Sequence, residues 1–301
     1  MRAAVIGIGS NSVRMLVADV QGGRLHQVHR DREGTRLFGG LQQDGNLSQE
    51  SMEKTLEAVS VMHKKAISLQ ADEIHLFATS AVRDAGNQQQ FSSMILIKTG
   101  LVLEVCTGEM EAALSFLGAT AGGRAGVIDI GGGSTEYVVG TGPKIDCGIS
   151  LQMGAVRLFR LYPMMSSKDA PKVIEAAKEI LREGIEPVVQ AGLPDAWVGV
   201  GGTFTALAAI LRGVPWMDKA QLSGCGITQN LAEEWLYRLA DMPLEERLKL
   251  HGLQPQRADI MAHGTAILVA SMQELKISSI TVSEFGNLDG YLKLKYVLQS
   301  S

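Results

Sequence analysis

Residues 5–17 read VIGIGSNSVRMLV, and residues 127–139 repeat this pattern as VIDIGGGSTEYVV. Each copy has a short β-branched apolar run, a turn of small residues and a second apolar run, which predicts a β-hairpin. Glycines and hydroxyl side chains in such a turn leave backbone amides accessible to an anion. The repeat therefore indicates a duplicated fold with two phosphate-binding turns. The copies differ at one informative position, where Gly7 matches Asp129.

Composition restricts the class of protein. The chain has 301 residues, of which 46% are hydrophobic and 20% charged, so we expect two lobes that fold throughout. A net charge of -4 gives no general attraction to nucleic acid. The three cysteines have no CxxC spacing, and neither a signal peptide nor an apolar run of about 18 residues is present. We expect a cytoplasmic protein without a nucleic-acid or membrane partner.

Helix and strand signals alternate along both halves of the chain, which is typical of an α/β fold. Glycines at 122 and 123 predict a hinge, which gives lobe I as residues 1–122 and lobe II as residues 123–286. A last helix within 287–301 is expected to pack back on lobe I. The other predicted helices include 88–98, 109–119, 155–161, 168–190 and 259–275, and the predicted strands include 73–78, 101–105, 196–200 and 279–283.

Carboxylates flank the turn of the second hairpin. Asp129 ends the incoming strand and Glu136 lies on the returning strand, and both are hard oxygen donors that suit Mg²⁺ or another divalent cation. The residues between them that supply amides and hydroxyls for a phosphate are Gly131, Gly132, Gly133, Ser134 and Thr135. A turn that is only structural needs one or two glycines and has no use for flanking acids.

The turn of the first hairpin carries the polar residues Gly9, Ser10, Asn11 and Ser12. Serine and asparagine are common in ordinary turns, so an anion site here depends on the match to the second copy. Arg14 alternates with apolar residues, which leaves a substrate contact and a solvated strand face as equal alternatives. Gly201 and Gly202 follow another predicted strand and open a helix, which makes them a third candidate contact for an anion or nucleotide.

Two charged residues of lobe I are candidates for the chemistry. Arg83 follows the strand 73–78 and could hold a phosphate through two hydrogen bonds, the alternative being a surface ion pair with Asp84. Glu111 opens the helix 109–119, where the helix dipole favours acidic residues without any function. A catalytic interpretation requires Glu111 to face a phosphate, because hydrolysis of a phosphoanhydride requires a base for the attacking water.

Taken in order, these segments resemble the exopolyphosphatase and guanosine pentaphosphate phosphohydrolase family. The resemblance covers nearly the whole chain and includes residues 9–14, 78–87, 108–112, 129–136, 150–158, 199–203, 257–264 and 282–290. It implies an actin-like, sugar-kinase-like ATPase fold, in which two duplicated ribonuclease H-like lobes enclose a cleft that holds the site. It also implies the short, two-lobe form of the family and a homodimer.

The resemblance implies roles for the candidate residues. Glu111 corresponds to the catalytic glutamate, Asp129 and Glu136 to carboxylates associated with magnesium, and Arg83 and the glycine turns to phosphate ligands. The expected function is release of terminal orthophosphate from inorganic polyphosphate, with guanosine pentaphosphate as a second candidate substrate.

Gly7 departs from the family, which usually has Asp at this position. Loss of a carboxylate near the metal predicts weaker magnesium binding or lost turnover. One alternative is therefore a weakened member that binds polyphosphate or guanosine tetra- or pentaphosphate as a sensor. A small-molecule kinase of the same fold is a third hypothesis, suggested by the Gly201-Gly202 turn, although no acceptor-activating Asp is apparent.

Overall fold

The computed structural model describes residues 1–298 and divides into two units. Unit 1 comprises Met1–Gly118 and the chain from Asn287 onward, and unit 2 comprises Ala119–Gly286. Residues 299–301, the end of the predicted segment 287–301, lie outside the described residues.

Unit 1 is built on a five-stranded sheet. Its strands are β1 (Arg2–Ile8), β2 (Val13–Gln21), β3 (Arg24–Glu33), β4 (Glu73–Ala78) and β5 (Glu104–Val105), in the spatial order β3-β2-β1-β4-β5. The first three strands form an antiparallel meander, and β4 joins β1 in parallel. The predicted strand 101–105 is shorter than expected, because β5 pairs with only the last two residues of β4.

Four helices follow the strands of unit 1: α1 (Gln49–Ser68), α2 (Ser80–Arg83), α3 (Gln88–Thr99) and α4 (Gly108–Ala119). The N-terminus of α1 is capped by Ser48, whose side chain accepts a hydrogen bond from the Ser51 amide at 3.2 Å. This pairing satisfies one of the amides that have no partner within the helix. Ser48 is therefore the N-cap of α1.

Unit 2 contains a six-stranded sheet in the order β10-β11-β9-β6-β7-β8. Its strands are β6 (Arg124–Ile130), β7 (Thr135–Thr141), β8 (Lys144–Leu151), β9 (Trp197–Val200), β10 (Gly226–Thr228) and β11 (Ser279–Val282). The helices are α5 (Ala155–Leu161), α6 (Ala170–Gly184), α7 (Glu186–Gln190), α8 (Gly202–Arg212), α9 (Gln229–Asp241), α10 (Leu244–Arg247) and α11 (Met261–Glu274). Helix α12 (Asn287–Tyr296) then returns to unit 1.

The predicted continuous helix 168–190 is wrong. Residues 167–169 form a separate 3₁₀ turn, α6 ends at Gly184, and α7 starts at Glu186 with Pro187 in its first turn. Proline has no amide to donate and is favoured in the first turn of a helix, so it marks a new helix here.

The two meanders are duplicates in structural detail. Gly7 pairs with Arg14 in β1–β2, and Asp129 pairs with Glu136 at the corresponding position of β6–β7. The next pair of strands has a register irregularity at Val17/Ala18 in unit 1 and at Val139/Gly140 in unit 2. Equivalent turns and equivalent bulges therefore place equivalent residues at the ends of β1 and β6.

Each unit has its own apolar core. In unit 2, α11 is buried continuously from Met261 to Met272, as expected for a helix that is apolar on all sides. In unit 1, α12 packs with β1 through a cluster that includes Val5, Phe77 and Leu288. None of the helices within residues 1–298 has both the length and the apolar character that a membrane span requires.

Candidate active site

Residues at the N-terminus of α5 donate hydrogen bonds to the carbonyl oxygens of the glycine turn of unit 2. The amides of Ala155 and Val156 and the Arg157 Nε donate to the carbonyl oxygens of Gly131 (3.0 Å), Gly132 (2.9 Å) and Gly133 (2.7 Å), respectively. In a trans peptide the amide points away from the preceding carbonyl oxygen. The amides that follow these three carbonyls are therefore directed away from α5, which is the arrangement an anion-binding turn requires.

Gly154, immediately before α5, permits this close approach. A Cβ atom at position 154 would overlap the Gly132 carbonyl and the backbone carbon of Gly133. We predict that Gly154→Ala displaces the turn, because backbone atoms cannot rotate aside as a side chain can. The variant should have a lower Tm. A matched control is Gly226→Ala, because a Cβ at Gly226 meets no atom within 4 Å. A wild-type Tm in Gly154→Ala would contradict the prediction.

The two hydroxyl residues of the second turn differ in their contacts. Ser134 is 1% exposed, and its Oγ has no hydrogen-bond partner among the described residues. Such a buried polar atom usually has a partner, so it marks a position that a ligand oxygen could satisfy. The Thr135 hydroxyl instead donates to the Met153 carbonyl, which joins β7 to the segment that leads into α5.

Asp129 and Glu136 lie directly opposite each other on adjacent strands and are 8% and 1% exposed. Opposite side chains on neighbouring strands project from the same face of a sheet. The Ser150 hydroxyl donates to Glu136 Oε1 at 2.7 Å, which orients that carboxylate. Residues 1–298 contain no group of three or more His, Cys, Asp or Glu side chains that could hold a metal. Two buried carboxylates do fit Mg²⁺, which commonly keeps several waters and uses one or two carboxylates.

The N-terminus of α8 lies beside Asp129. Gly201, the N-cap of α8, has a φ of 94°, and a Cβ there would lie 2.6 Å from Asp129 Oδ1. Glycine is thus required both by the backbone conformation and by the approach of the carboxylate. A Cβ on Gly202 would overlap the guanidinium of Arg257. Arg257 lies in the segment 257–264 that carries the family resemblance, and no site role was predicted for it. An arginine beside a glycine-rich helix start is nevertheless a usual anion-binding combination.

The first turn is built like the second. The Gly9 amide donates to the Ser12 carbonyl at 3.0 Å, and the Gly131 amide donates to the Ser134 carbonyl at the same distance. The carbonyls of Ser10 and Asn11 accept hydrogen bonds from the backbone amides of Phe38 (2.9 Å) and Arg36 (3.1 Å). A loop segment thus engages the carbonyls of the first turn, as α5 engages those of the second.

The side chains of Ser10 and Asn11 in the first turn differ in their hydrogen bonds. The Ser10 and Ser80 hydroxyls are hydrogen-bonded at 2.9 Å, which ties the turn to the start of α2. Asn11 is buried, yet its side-chain Nδ2 and Oδ1 have no hydrogen-bond partner among residues 1–298. Asn11 is therefore the residue of this turn that is best placed to bind a polar ligand atom.

Arg83 and Glu111 are brought together in unit 1. Arg83 Nη1 donates to Glu111 Oε2 at 3.0 Å and to the Cys106 carbonyl at 3.1 Å. Arg83 Nε also lies 3.8 Å from Asp84 Oδ1, so the ion pair considered as the alternative exists beside the Glu111 contact. Arg83 Nη2 is buried without a partner among the described residues. One guanidinium thus orients the carboxylate and retains a donor for an anion next to it.

Cys106, whose backbone carbonyl accepts the hydrogen bond from Arg83, carries a thiol near this pair. The pKa of the Cys106 thiol is raised to about 12, first by burial and then by the carboxylates of Glu104 and Glu111, with Arg83 acting in the opposite direction. A thiol with so high a pKa remains protonated at neutral pH and does not act as a nucleophile.

Comparison with known proteins identifies the family. Residues 16–295 match the model of the Ppx/GppA phosphatase family. Exopolyphosphatase 2 of Mycobacterium tuberculosis is 33% identical over 310 aligned positions, which cover 96% of this chain and 97% of that protein. The structure of the Aquifex aeolicus PPX-GPPA enzyme aligns with a TM-score of 0.82 and 29% identity over 98% of this chain and 99% of that one. An exopolyphosphatase-like protein aligns with a TM-score of 0.91 at 25% identity, covering 100% and 99% of the two chains.

The chain belongs to the Ppx/GppA phosphatase family. The predicted family, the duplicated α/β fold class and the enzyme class of a phosphoanhydride hydrolase of exopolyphosphatase type are thereby confirmed. The roles of the individual site residues stay predictions.

Proposed function

We propose that the chain releases terminal orthophosphate from inorganic polyphosphate, with Glu111 as the base that positions and deprotonates the attacking water. The water oxygen forms a bond to the terminal phosphorus, and the bond from this phosphorus to the bridging oxygen breaks. The water proton passes to Glu111, and the shortened chain leaves with the electron pair on its new terminal oxygen. The pairing of Glu111 with Arg83 at 3.0 Å is the observation that best supports this assignment.

Arg83 has two tasks in this proposal. Its Nη1 holds Glu111 and the Cys106 carbonyl, which keeps the carboxylate in one orientation. Its Nη2 would donate to an oxygen of the terminal phosphate, where negative charge develops during transfer. Because Arg83 contacts Glu111, this arrangement would place the carboxylate beside a water that approaches the bound phosphate, and general-base hydrolysis requires the base to reach a proton of that water.

Unit 2 would neutralise charge on the substrate. The amides of its glycine turn, directed away from α5, and the Ser134 hydroxyl are suited to bind phosphate oxygens. Gly201 and Gly202 would add the amides at the start of α8. Asp129 and Glu136 would hold Mg²⁺ or another divalent cation, which when bound supplies positive charge to the phosphoryl oxygens.

Residues of the first turn region complete the proposed contacts. The Asn11 side chain would bind a phosphate oxygen, with the backbone amides of Ser10 and Ser12 beside it. Gly9 closes the turn through the hydrogen bond from its amide to the Ser12 carbonyl. Arg14 lies on β2 next to this turn and donates from Nη2 to Asn287 Oδ1 at 3.1 Å. We assign Arg14 to electrostatic attraction of the anionic chain, because its guanidinium is a positive charge close in sequence to this turn.

Measurement of phosphate release tests the proposal. Purified protein with Mg²⁺ should release orthophosphate from polyphosphate of defined length, and Asn11→Ala should raise KM because it removes a substrate contact. Guanosine pentaphosphate is the second candidate substrate and is assayed in parallel. If wild-type protein binds polyphosphate but releases no phosphate from it or from guanosine pentaphosphate, the hydrolase proposal fails and the sensor alternative, motivated by Gly7, replaces it.

We further propose a homodimer, which the resemblance to the family implies. We also propose a cytoplasmic location, because the three cysteines have no CxxC spacing and indicate no disulfide framework. Light scattering of the purified protein tests the oligomeric state, and a molar mass near that of one chain, 32.2 kDa, would contradict it. Fractionation of cells that produce the protein tests its location.

A further inference from the structure

The first hairpin lacks the carboxylate pair that the second hairpin carries. Gly7 lies opposite Arg14, at the positions where Asp129 lies opposite Glu136 in the other unit. The two hairpins share the hydrogen bond across their turns and the bulge on the next strand, so these positions are equivalent. Two negative charges in unit 2 thus correspond to a single positive charge in unit 1.

Apolar packing closes the space beside Gly7. A Cβ atom at position 7 would lie 2.9 Å from Leu288 Cδ2 and 3.0 Å from Phe77 Cζ, at the limit below which real Cβ contacts essentially never occur. Leu288 is 3% exposed and Phe77 is fully buried in the same cluster. A Cβ atom at position 7 therefore requires the end of the Leu288 side chain or the Phe77 ring to shift within a densely packed core. A carboxylate at position 7 would therefore meet a methyl group and an aromatic ring.

Helix α12 is fixed on unit 1 at the residues around Leu288. Asn287 accepts a hydrogen bond from Arg14, and Asp289 accepts one from Arg30. Further along the helix, Tyr291 stacks on Phe77 with ring centroids 5.2 Å apart and donates from its hydroxyl to Glu104 at 2.8 Å. These contacts hold the Leu288 side chain against Gly7.

We propose that α12 has replaced a carboxylate of unit 1: Leu288 and Phe77 seal the Gly7 position, and the chain binds its divalent cation through unit 2 alone. The second half of this inference rests on the proposed function of Asp129 and Glu136. Unit 1 then contributes the cationic groups Arg14 and Arg83 and no metal ligand. Side chains pack against Gly7, so an acid fits at this position only if the Leu288 side chain of α12 is made smaller as well.

A double-mutant cycle tests the seal. Gly7→Asp should lower Tm and leave the affinity for Mn²⁺, measured by electron paramagnetic resonance, unchanged. Gly7→Asp combined with Leu288→Ala should lower Tm by less than the two separate losses added together, because the truncated leucine makes room. The combined variant should bind Mn²⁺ about 10-fold more tightly than wild type. Carboxylates just outside the metal ligands change metal affinity by about 10–100-fold, and the lower value is expected here. The matched control is Leu292→Ala, a buried residue one turn further along the same helix, which should be additive with Gly7→Asp.

Specific outcomes would overturn the inference. Gly7→Asp alone with the wild-type Tm, or with tighter Mn²⁺ binding, would show that the position is open. Additivity between Gly7→Asp and Leu288→Ala would show that Leu288 does not seal it, and coupling without tighter Mn²⁺ binding would show that no metal ligand was replaced. If Gly7→Asp does not fold, the same cycle with Gly7→Ala measures the seal without a charge. Unchanged Mn²⁺ binding in Asp129→Asn would instead refute the proposed role of unit 2 and leave the packing result standing.

Discussion

Glu111→Gln should abolish phosphate release from polyphosphate while polyphosphate binding persists. Glutamine has nearly the same shape and can still accept a hydrogen bond from Arg83, but its amide cannot take a proton from water. General-base catalysis contributes about 10²–10⁴-fold to a rate, so kcat should fall by at least about 100-fold. The affinity for polyphosphate, measured by calorimetry with Mg²⁺ present, should change little.

The control for this substitution is Glu109→Gln. Glu109 lies in the same first turn of α4 but is exposed, whereas Glu111 is 7% exposed and paired with Arg83. Both changes remove one negative charge near the helix N-terminus, so an effect of the helix dipole would appear in both. Loss of activity in both variants, or in neither, would contradict the assignment of Glu111 as the base.

Asp129→Asn should remove the response of the protein to divalent cations. An asparagine keeps the shape beside Gly201 and removes the charge that holds the metal. A cation at 100 times its Kd stabilises a folded protein by about 2.7 kcal/mol, which raises Tm measurably. Wild-type Tm should therefore rise on addition of Mg²⁺, and that of Asp129→Asn should not. Phosphate release by the variant should fall by about 100-fold or more. Loss of a residue that only orients a metal ligand reduces activity by about 10–100-fold, and Asp129 is proposed to hold the metal itself.

Asp195→Asn is the matched control for metal binding, because Asp195 is an exposed carboxylate of the same unit. It should show the wild-type Mg²⁺ shift. A wild-type shift in Asp129→Asn would contradict the proposed metal site, even if activity were lost, because loss of activity alone has other causes. Glu136→Gln provides a second test of the same pair and should weaken the shift in the same direction.

The duplicated hairpins could be predicted from the sequence because local pattern determines them. Strand, small-residue turn and strand follow one another within 13 residues, and residues 5–17 and 127–139 align without a gap. The pairing of Asp129 with Glu136 also follows from local pattern, since a hairpin with a known turn sets the register of its strands. The capping of α1 by Ser48 is likewise a local signal.

Features that depend on distant segments could not be predicted in this way. The amides of Ala155 and Val156 reach the turn from beyond β8, and Leu288 reaches Gly7 from the far end of the chain. The Thr135 hydroxyl has the local pattern of a ligand, yet it donates to Met153, so a contact with substrate through that hydroxyl would require this hydrogen bond to rearrange. The sequence predicted that Gly7 stands where a carboxylate is missing. It did not predict that the apolar side chains of Phe77 and Leu288 pack against this glycine.

The most direct test of the central proposal is phosphate release from polyphosphate in water labelled with ¹⁸O. Mass spectrometry of the product should show one ¹⁸O in each orthophosphate released by the wild-type protein with Mg²⁺, and the remaining chains should shorten one phosphate at a time from their ends. The same measurement on Glu111→Gln should show little product. Absence of labelled orthophosphate from wild-type protein, or an undiminished rate in Glu111→Gln, would contradict hydrolysis by a water that Glu111 activates.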